Sequence, residues 1–210
     1  DSRSGTFQHI NVPPMLMAFG ITTVNAGTVI STDFKKPGNR IYLVRHTPRE
    51  NHMPDTAQLK DNFGFVSENI ERGNILAAWS VGFGGVAEGL AKMAFGNRIG
   101  AEVEMDEAEL FGYAYGSILV ESAVELTHPA AGLLGMTAAD GALTVNGVKM
   151  PLDALYKANT EKFAAVYPDK GRNSAEGMTS APAPKTFVYP GEAVETPVVY
   201  TPVFPGTNCD

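Results

Sequence analysis

Residues 75–95 read ILAAWSVGFGGVAEGLAKMAF, and this stretch decides the fold. Ile75 to Trp79 is a short apolar run of strand length. It passes into the turn Gly82-Phe83-Gly84-Gly85, and Val86 to Phe95 then reads as a helix that Gly96 and Asn97 stop. Upstream, Leu16 to Val24 (LMAFGITTV) is mostly apolar and β-branched and reads as a buried strand. Lys35 to Asn39 (KKPGN) is a turn cluster, Arg40 to Val44 (RIYLV) a second strand, and Arg45 to Pro54 a loop with two prolines and two histidines. From Asp55 to Arg72, Leu59, Phe63, Val66 and Ile70 mark one helical face, with Asp55 as N-cap and Gly73 where a helix would end.

Downstream, Ala101 to Met105 alternates apolar residues with Glu, as a half-exposed strand does. Asp106 to Leu110 reads as a helical turn, and Ser117 to Glu121 and Gly132 to Thr137 as strands. Leu143–Val145 and Val148–Met150 flank Asn146-Gly147, a dipeptide that tolerates positive φ at both positions of a tight hairpin. Pro151, Leu152, Leu155 and Phe163 mark a last helix. Helices and strands mix without strict alternation. The expected class is α/β (α+β): a mixed sheet with helices packed mainly on one face.

The chain has 210 residues, 44% of them hydrophobic, enough for one domain with a core and some extra. Its formal charge of -7 disfavours sequence-independent nucleic-acid binding, which needs clustered Lys and Arg. No run of about 18 apolar residues suits a membrane span. No signal peptide and no initiator Met stand at the start, which reads as a cut inside a longer chain. The lone Cys209 excludes an intramolecular disulfide and a cysteine zinc site and suits a reducing, cytoplasmic setting. Residues 169–184 (DKGRNSAEGMTSAPAP) hold almost no large apolar side chain, so 169–196 reads as an exposed linker. Thr196 to Phe204 reads as a fresh strand, the start of a further domain over 197–210.

The segment Thr32-Asp33-Phe34-Lys35-Lys36-Pro37-Gly38-Asn39 with the strand Ile41–Val44 resembles the first strands of the carboxy-terminal domain of the aminoimidazole ribonucleotide synthetase superfamily. So does Ile75–Ala78 leading into Gly84–Phe95. The likeness spans Pro13 to Pro168, within an expected domain of residues 1–168. Pro202-Val203-Phe204-Pro205-Gly206-Thr207-Asn208-Cys209-Asp210 is similar to the opening strand and loop of the glutaminase domain in the phosphoribosylformylglycinamidine synthase family, in its single-chain form. The resemblance implies a part of an ATP- and glutamine-dependent amidotransferase, with upstream synthase domains and a downstream glutaminase domain of the same chain as partners. It implies ATP and Mg for the whole enzyme, and no catalytic residue here. A bracing domain that docks the glutaminase is the alternative.

Gly84 and Gly85 are the candidate phosphate-binding residues, because a glycine turn at a helix start presents N–H groups to an anion. Most relatives carry His-Asp before this loop and Ser-Asp within it, where Trp79-Ser80 and Gly82-Phe83 stand here. The glycines then serve tight strand–helix packing instead. Lys35 and Lys36 read as solvated lysines at a Pro-Gly turn, with Asp33 pairing locally. His9, His46, His52 and His128 have no metal-ligand spacing; His46 and His52 share one loop. Glu102, Glu104, Asp106, Glu107 and Glu109 read as an exposed edge-strand face rather than a cation site. Cys209 does not stand on a nucleophile elbow.

Overall fold

The computed structural model describes residues 2–7, 10–16, 18–162, 164–165 and singly 191, 198, 200 and 202; of residues 2–16 the backbone alone is described. The chain divides into two compact units, Asp1–Tyr167 and Pro168–Asp210. The linker expected over 169–196, the strand expected over Thr196–Phe204, and His9, Phe163 and Cys209 lie outside the described residues. Gly191, Val198, Tyr200 and Pro202 are described and belong to no helix or strand.

The first unit begins with an antiparallel hairpin, β1 (Ser2–Phe7) and β2 (Ile10–Leu16), in a sheet of its own. The strand expected over Leu16–Val24 is not formed. Leu16 closes β2, residues 18–24 carry no regular structure, and Phe19 and Ile21 are 87% and 94% exposed. The apolar composition signalled burial, yet among the described residues no strand pairs with residues 18–24, and without a ladder partner β-propensity does not make a strand.

The main sheet comprises β3 (Arg40–Val44), β4 (Ile75–Ser80), β5 (Gly100–Val103), β6 (Ile118–Ser122), β7 (Ala131–Ala138), β8 (Ala142–Val145) and β9 (Val148–Pro151). Their spatial order is β4-β6-β3-β7-β5-β8-β9. Every pair is antiparallel except β5 with β8. The helices are α1 (Thr56–Glu71), α2 (Gly85–Phe95), α3 (Glu107–Leu110) and α4 (Leu152–Glu161). This is the mixed sheet that the sequence pattern implies. The β8–β9 turn has φ 50° at Asn146 and 77° at Gly147, the left-handed pair that a two-residue hairpin demands.

Alternation in β3 sorts the core into two layers. Ile41 and Leu43 join Ala77, Leu119 and Val103 on one face, against Val86, Leu90 and Met93 of α2, Leu110 of α3 and Leu152 of α4. Tyr42 and Val44 join Ile75 and Val120 on the other, under Val66 of α1. Helices therefore lie mainly on one face. Leu90 and Met93 have no exposed surface, and cutting either to Ala would cost roughly 2–5 kcal/mol.

Asp55 caps α1 by accepting from the N–H groups of Ala57 and Gln58, both at 3.0 Å. The stripe that α1 buries is rotated from the expected one. Phe63 is 46% exposed, while Asn62, Val66 and Asn69 are buried. Asn62 faces inward because its amide donates to the Arg45 carbonyl (2.9 Å), where the chain leaves β3. Asn69 accepts from the Asn74 amide at 2.9 Å. The edge-strand expectation for Glu102 and Glu104 is corrected too. β5 lies inside the sheet between β7 and β8, and Glu104 follows its last residue. Glu102 is exposed, on the face opposite the buried Ala101 and Val103.

A buried polar knot fixes the turn before β3. The Glu121 carboxyl, with no exposed surface, accepts from the Lys35 N–H (2.7 Å), the Lys36 N–H (3.1 Å) and the Asn39 amide (2.6 Å). Thr137 of β7 closes the other side: its hydroxyl donates to the Lys36 carbonyl (2.6 Å) and accepts from the Asn39 N–H (2.9 Å). Replacing Glu121 with Ala strands three donors in a water-free site. Chemical unfolding should show a loss of about 3 kcal/mol or more, with Glu121→Gln costing less because one acceptor oxygen survives. Equal stability of wild type and Glu121→Ala would refute the knot's role.

Candidate functional site

β4 runs into the turn Gly82–Gly84, and α2 starts at Gly85. Gly85 has φ 67°, and a Cβ there would stand 2.7 Å from the Leu110 carbonyl oxygen and 3.0 Å from that of Gly112. A side chain is thus excluded twice, by backbone conformation and by the close approach of the segment after α3. Further along α2, a Cβ on Gly89 would stand 3.0 Å from the Trp79 ring, so this glycine lets β4 and α2 approach. The Trp79 indole N–H is buried with no hydrogen-bond partner among the described residues. Lys92 lies over the same ring at 5.6 Å.

The helix start carries its own anion. Glu88 turns back so that Oε2 accepts from the Gly84 N–H at 3.0 Å, and Oε1 pairs with the Lys92 ammonium at 2.8 Å. The Gly85 N–H donates to the Gly82 carbonyl at 3.1 Å. The Lys92 ammonium beside Glu88, helped by the Gly84 N–H, holds its carboxyl below the usual glutamate range, against the opposing effect of partial burial. A carboxylate of the chain itself takes the N–H of the residue before the helix, one of the donors that a helix start can offer an anion. Phe83, next in the turn, is exposed and rests against Tyr113 with ring centroids 5.8 Å apart. Among the described residues no cluster of three or more His, Asp, Glu or Cys could hold a metal ion. Nothing beside Gly84 and Gly85 among the described residues supplies a three-ligand set for a magnesium ion.

Among the described residues no hydrogen bond or ion pair joins the other sequence candidates to this loop. The Lys35 ammonium folds back onto Ser31 and the Asp33 carbonyl, and Asp33 accepts from the Ser31 hydroxyl at 3.2 Å, as local pairing implies. His46 is buried rather than an ordinary loop histidine. Its Nδ1 meets the Tyr115 carbonyl at 2.9 Å and its Nε2 accepts from the Asp55 N–H at 3.1 Å, which places the proton on Nδ1. With both nitrogens engaged it shares no ion with His52. His128 starts the expected turn, its carbonyl accepting from the Ala131 N–H at 3.0 Å, and its ring stacks on Phe65 at 4.4 Å and pairs with Asp61 at 3.0 Å. Asp106 caps α3, and Glu109 pairs with Arg45 at 2.8 Å.

The sequence reading passed over the segment 111–115, FGYAY. Phe111, Tyr113 and Tyr115 are exposed, and the two tyrosine rings stack at 5.8 Å and 8°. Aromatics at every second position between α3 and β6 were the available signal. Tyr113 and Tyr115 form one wall of a cavity of about 470 Å³, with Pro48 and Pro54 in the facing loop and His46 and Leu59 also lining it.

No family model matches the chain. In sequence it is similar to the phosphoribosylformylglycinamidine synthase subunit PurL of Zymomonas mobilis, 32% identical over 158 residues, covering 60% of this chain. The described fold matches the crystal structure of phosphoribosylformylglycinamidine synthase II from Thermotoga maritima with a TM-score of 0.54 at 16% identity, over 63% of this chain and 28% of that one. It also matches the structure of PurLQS from T. maritima, with a TM-score of 0.53 at 16% identity, over 63% and 28% of the two chains. The fold is that of a PurL-type domain. The chain spans 21% of the length of its Zymomonas relative. T. maritima PurL has also been solved in complexes with ADP and with ATP. No helix among the described residues is long and apolar enough to cross a membrane.

Two outcomes follow from the loop. Gly85→Ala should lower stability by roughly 2–4 kcal/mol, through the left-handed backbone and the clash with the Leu110 carbonyl; an unchanged melting temperature would refute the close packing. A glutamate with a depressed folded pKa stabilises above its ordinary value of 4.5 and loses that contribution as pH falls through the folded value. Glu88→Gln should accordingly flatten the fall of melting temperature below about pH 4.5, and an unaltered acid slope would count against the Glu88–Gly84 contact.

Proposed function

We propose that this chain is part of an ATP- and glutamine-dependent amidotransferase of de novo purine biosynthesis, which converts formylglycinamide ribonucleotide to its amidine. Sequence similarity to PurL over 60% of this chain, joined to a PurL-type fold, supports this reading. We further propose the single-chain form of the enzyme. The motif Pro202–Asp210, which resembles the opening of the glutaminase domain, supports that form. The partners are then the synthase domains upstream and the glutaminase downstream. ATP with Mg serves the whole enzyme, which belongs in the cytoplasm.

Within that enzyme this domain braces the synthase rather than carrying its chemistry. The observation that carries this is the self-capped loop: Glu88 accepts from the Gly84 N–H, and Phe83 stands where the resemblance implies an acid. Bracing makes no demand on Gly84 or Gly85 beyond tight packing.

The chain alone should neither form amidine from formylglycinamide ribonucleotide, ATP and glutamine nor hydrolyse glutamine above background. The natural full-length gene should rescue a bacterial purine auxotroph that lacks phosphoribosylformylglycinamidine synthase. Failure of rescue by an expressed, folded full-length protein would overturn the enzymatic assignment, and turnover by the chain alone would overturn the bracing role. In the full-length enzyme, Gly85→Asp should lower the melting temperature and leave KM for ATP nearly unchanged. A raised KM at unchanged stability would restore Gly84 and Gly85 as phosphate ligands.

A further inference from the structure

The exposed aromatic row is unexplained by the loop or by the core. Phe83, Tyr113 and Tyr115 follow one another at 5.8 Å centroid spacing, and each is more than half exposed, Tyr113 by 72%. Free phenol faces of this kind cost hydration without return unless something covers them. The cavity beside them is walled by tyrosine faces and proline rings, and no lysine, arginine or carboxylate lines it. Of the two histidines that line it, His46 has both ring nitrogens bonded, and His52 is exposed at the rim segment.

The charge around the row is one-sided. The two segments that build the cavity walls and run on from them, 45–55 and 104–115, carry six carboxylates: Glu50, Asp55, Glu104, Asp106, Glu107 and Glu109. They carry two guanidiniums, Arg45 and Arg49, which pair with Glu109 and Asp55. Glu50, Glu104 and Glu107 have no ion-pair or hydrogen-bond partner for their side chains among the described residues. The sequence from 99 to 148 contains no Lys or Arg at all. Electron-rich ring faces on chain segments of net negative charge repel phosphates and attract cations that can lie flat on a ring.

We propose that this face is a docking site for a basic segment of a partner polypeptide, with a guanidinium or ammonium side chain lying on the Tyr113 and Tyr115 rings and the flanking carboxylates steering it. An arginine suits the site best, because its planar group stacks on an aromatic face while its edge stays free for a carboxylate. The inference does not depend on the enzymatic reading, since it uses the aromatic row and its charges alone.

The test is fluorescence anisotropy on the chain with a labelled Arg-Gly repeat peptide, its Gln-Gly counterpart of equal length, and unlabelled adenosine as competitor. The Arg peptide should bind at least tenfold more tightly than the Gln peptide and weaken as salt rises. The pair Tyr113→Ala with Tyr115→Ala should lower affinity at least fivefold, and Tyr113→Phe with Tyr115→Phe should retain it, because ring faces rather than hydroxyls make the contact. Glu104→Gln with Glu107→Gln, on the exposed surface, should weaken binding and leave the melting temperature in place. Equal binding of the two peptides would overturn the proposal, as would Arg-peptide binding that survives loss of both rings. Displacement by adenosine would assign the cavity to a neutral aromatic ligand instead. Concentration-dependent self-association abolished by the double Ala variant would assign the face to a second copy of the chain.

Discussion

An interior strand of the main sheet, β3, is held in place by a carboxyl group that never meets water. Glu121 stands near the end of β6 with no exposed surface and gathers three donors from the turn that feeds β3. Burying a carboxyl is costly unless its oxygens are bonded, and bonding it demands that the turn hold two backbone N–H groups and one amide in a fixed cup. Thr137 locks the same turn to β7. β3 therefore enters between β6 and β7 in a single register, and the alternation along it then decides which side chains meet α2 and which meet α1. The two core layers are consequences of that placement.

The start of α2 follows similar logic with a different outcome. The strand–turn–helix geometry offers N–H groups toward an anion, as such units do in general. Here the anion is Glu88, four residues into the helix, tethered by Lys92. Gly85 is required by the approach of the chain after α3 and by a left-handed backbone, neither of which needs a ligand. A domain can keep the geometry of a phosphate loop for packing alone, and the glycines by themselves do not tell the two uses apart.

Much of this was legible in the sequence. The β3 strand, the capped helix after Asp55, the β4–turn–α2 unit and the Asn146-Gly147 hairpin were all readable, because local pattern and turn chemistry dictate them. The self-capped loop was half legible: Trp79, Ser80 and Phe83 showed which polar groups were missing, but the Glu88 contact appears only once the helix is built. What failed to show was tertiary. Leu16–Val24 has strand composition but no strand to pair with. Phe63 gives way to Asn62 because a carbonyl at the end of β3 needs a donor. Glu121 looks like the polar end of an apolar strand until the turn folds over it, and the alternation of Phe111, Tyr113 and Tyr115 gives no sign that these rings stay exposed and stack.

The central claim is that the loop at Gly84 and Gly85 packs and caps itself rather than holding a nucleotide, and amide NMR of the chain titrated with magnesium ATP measures this most directly. The account predicts that the Gly84, Gly85 and Val86 amide resonances stay in place to millimolar nucleotide, and that the Gly84 amide moves on acidification as Glu88 takes up a proton. Saturable nucleotide-induced shifts at Gly84 and Gly85, with release of the Glu88 carboxylate from the Gly84 N–H, would contradict it.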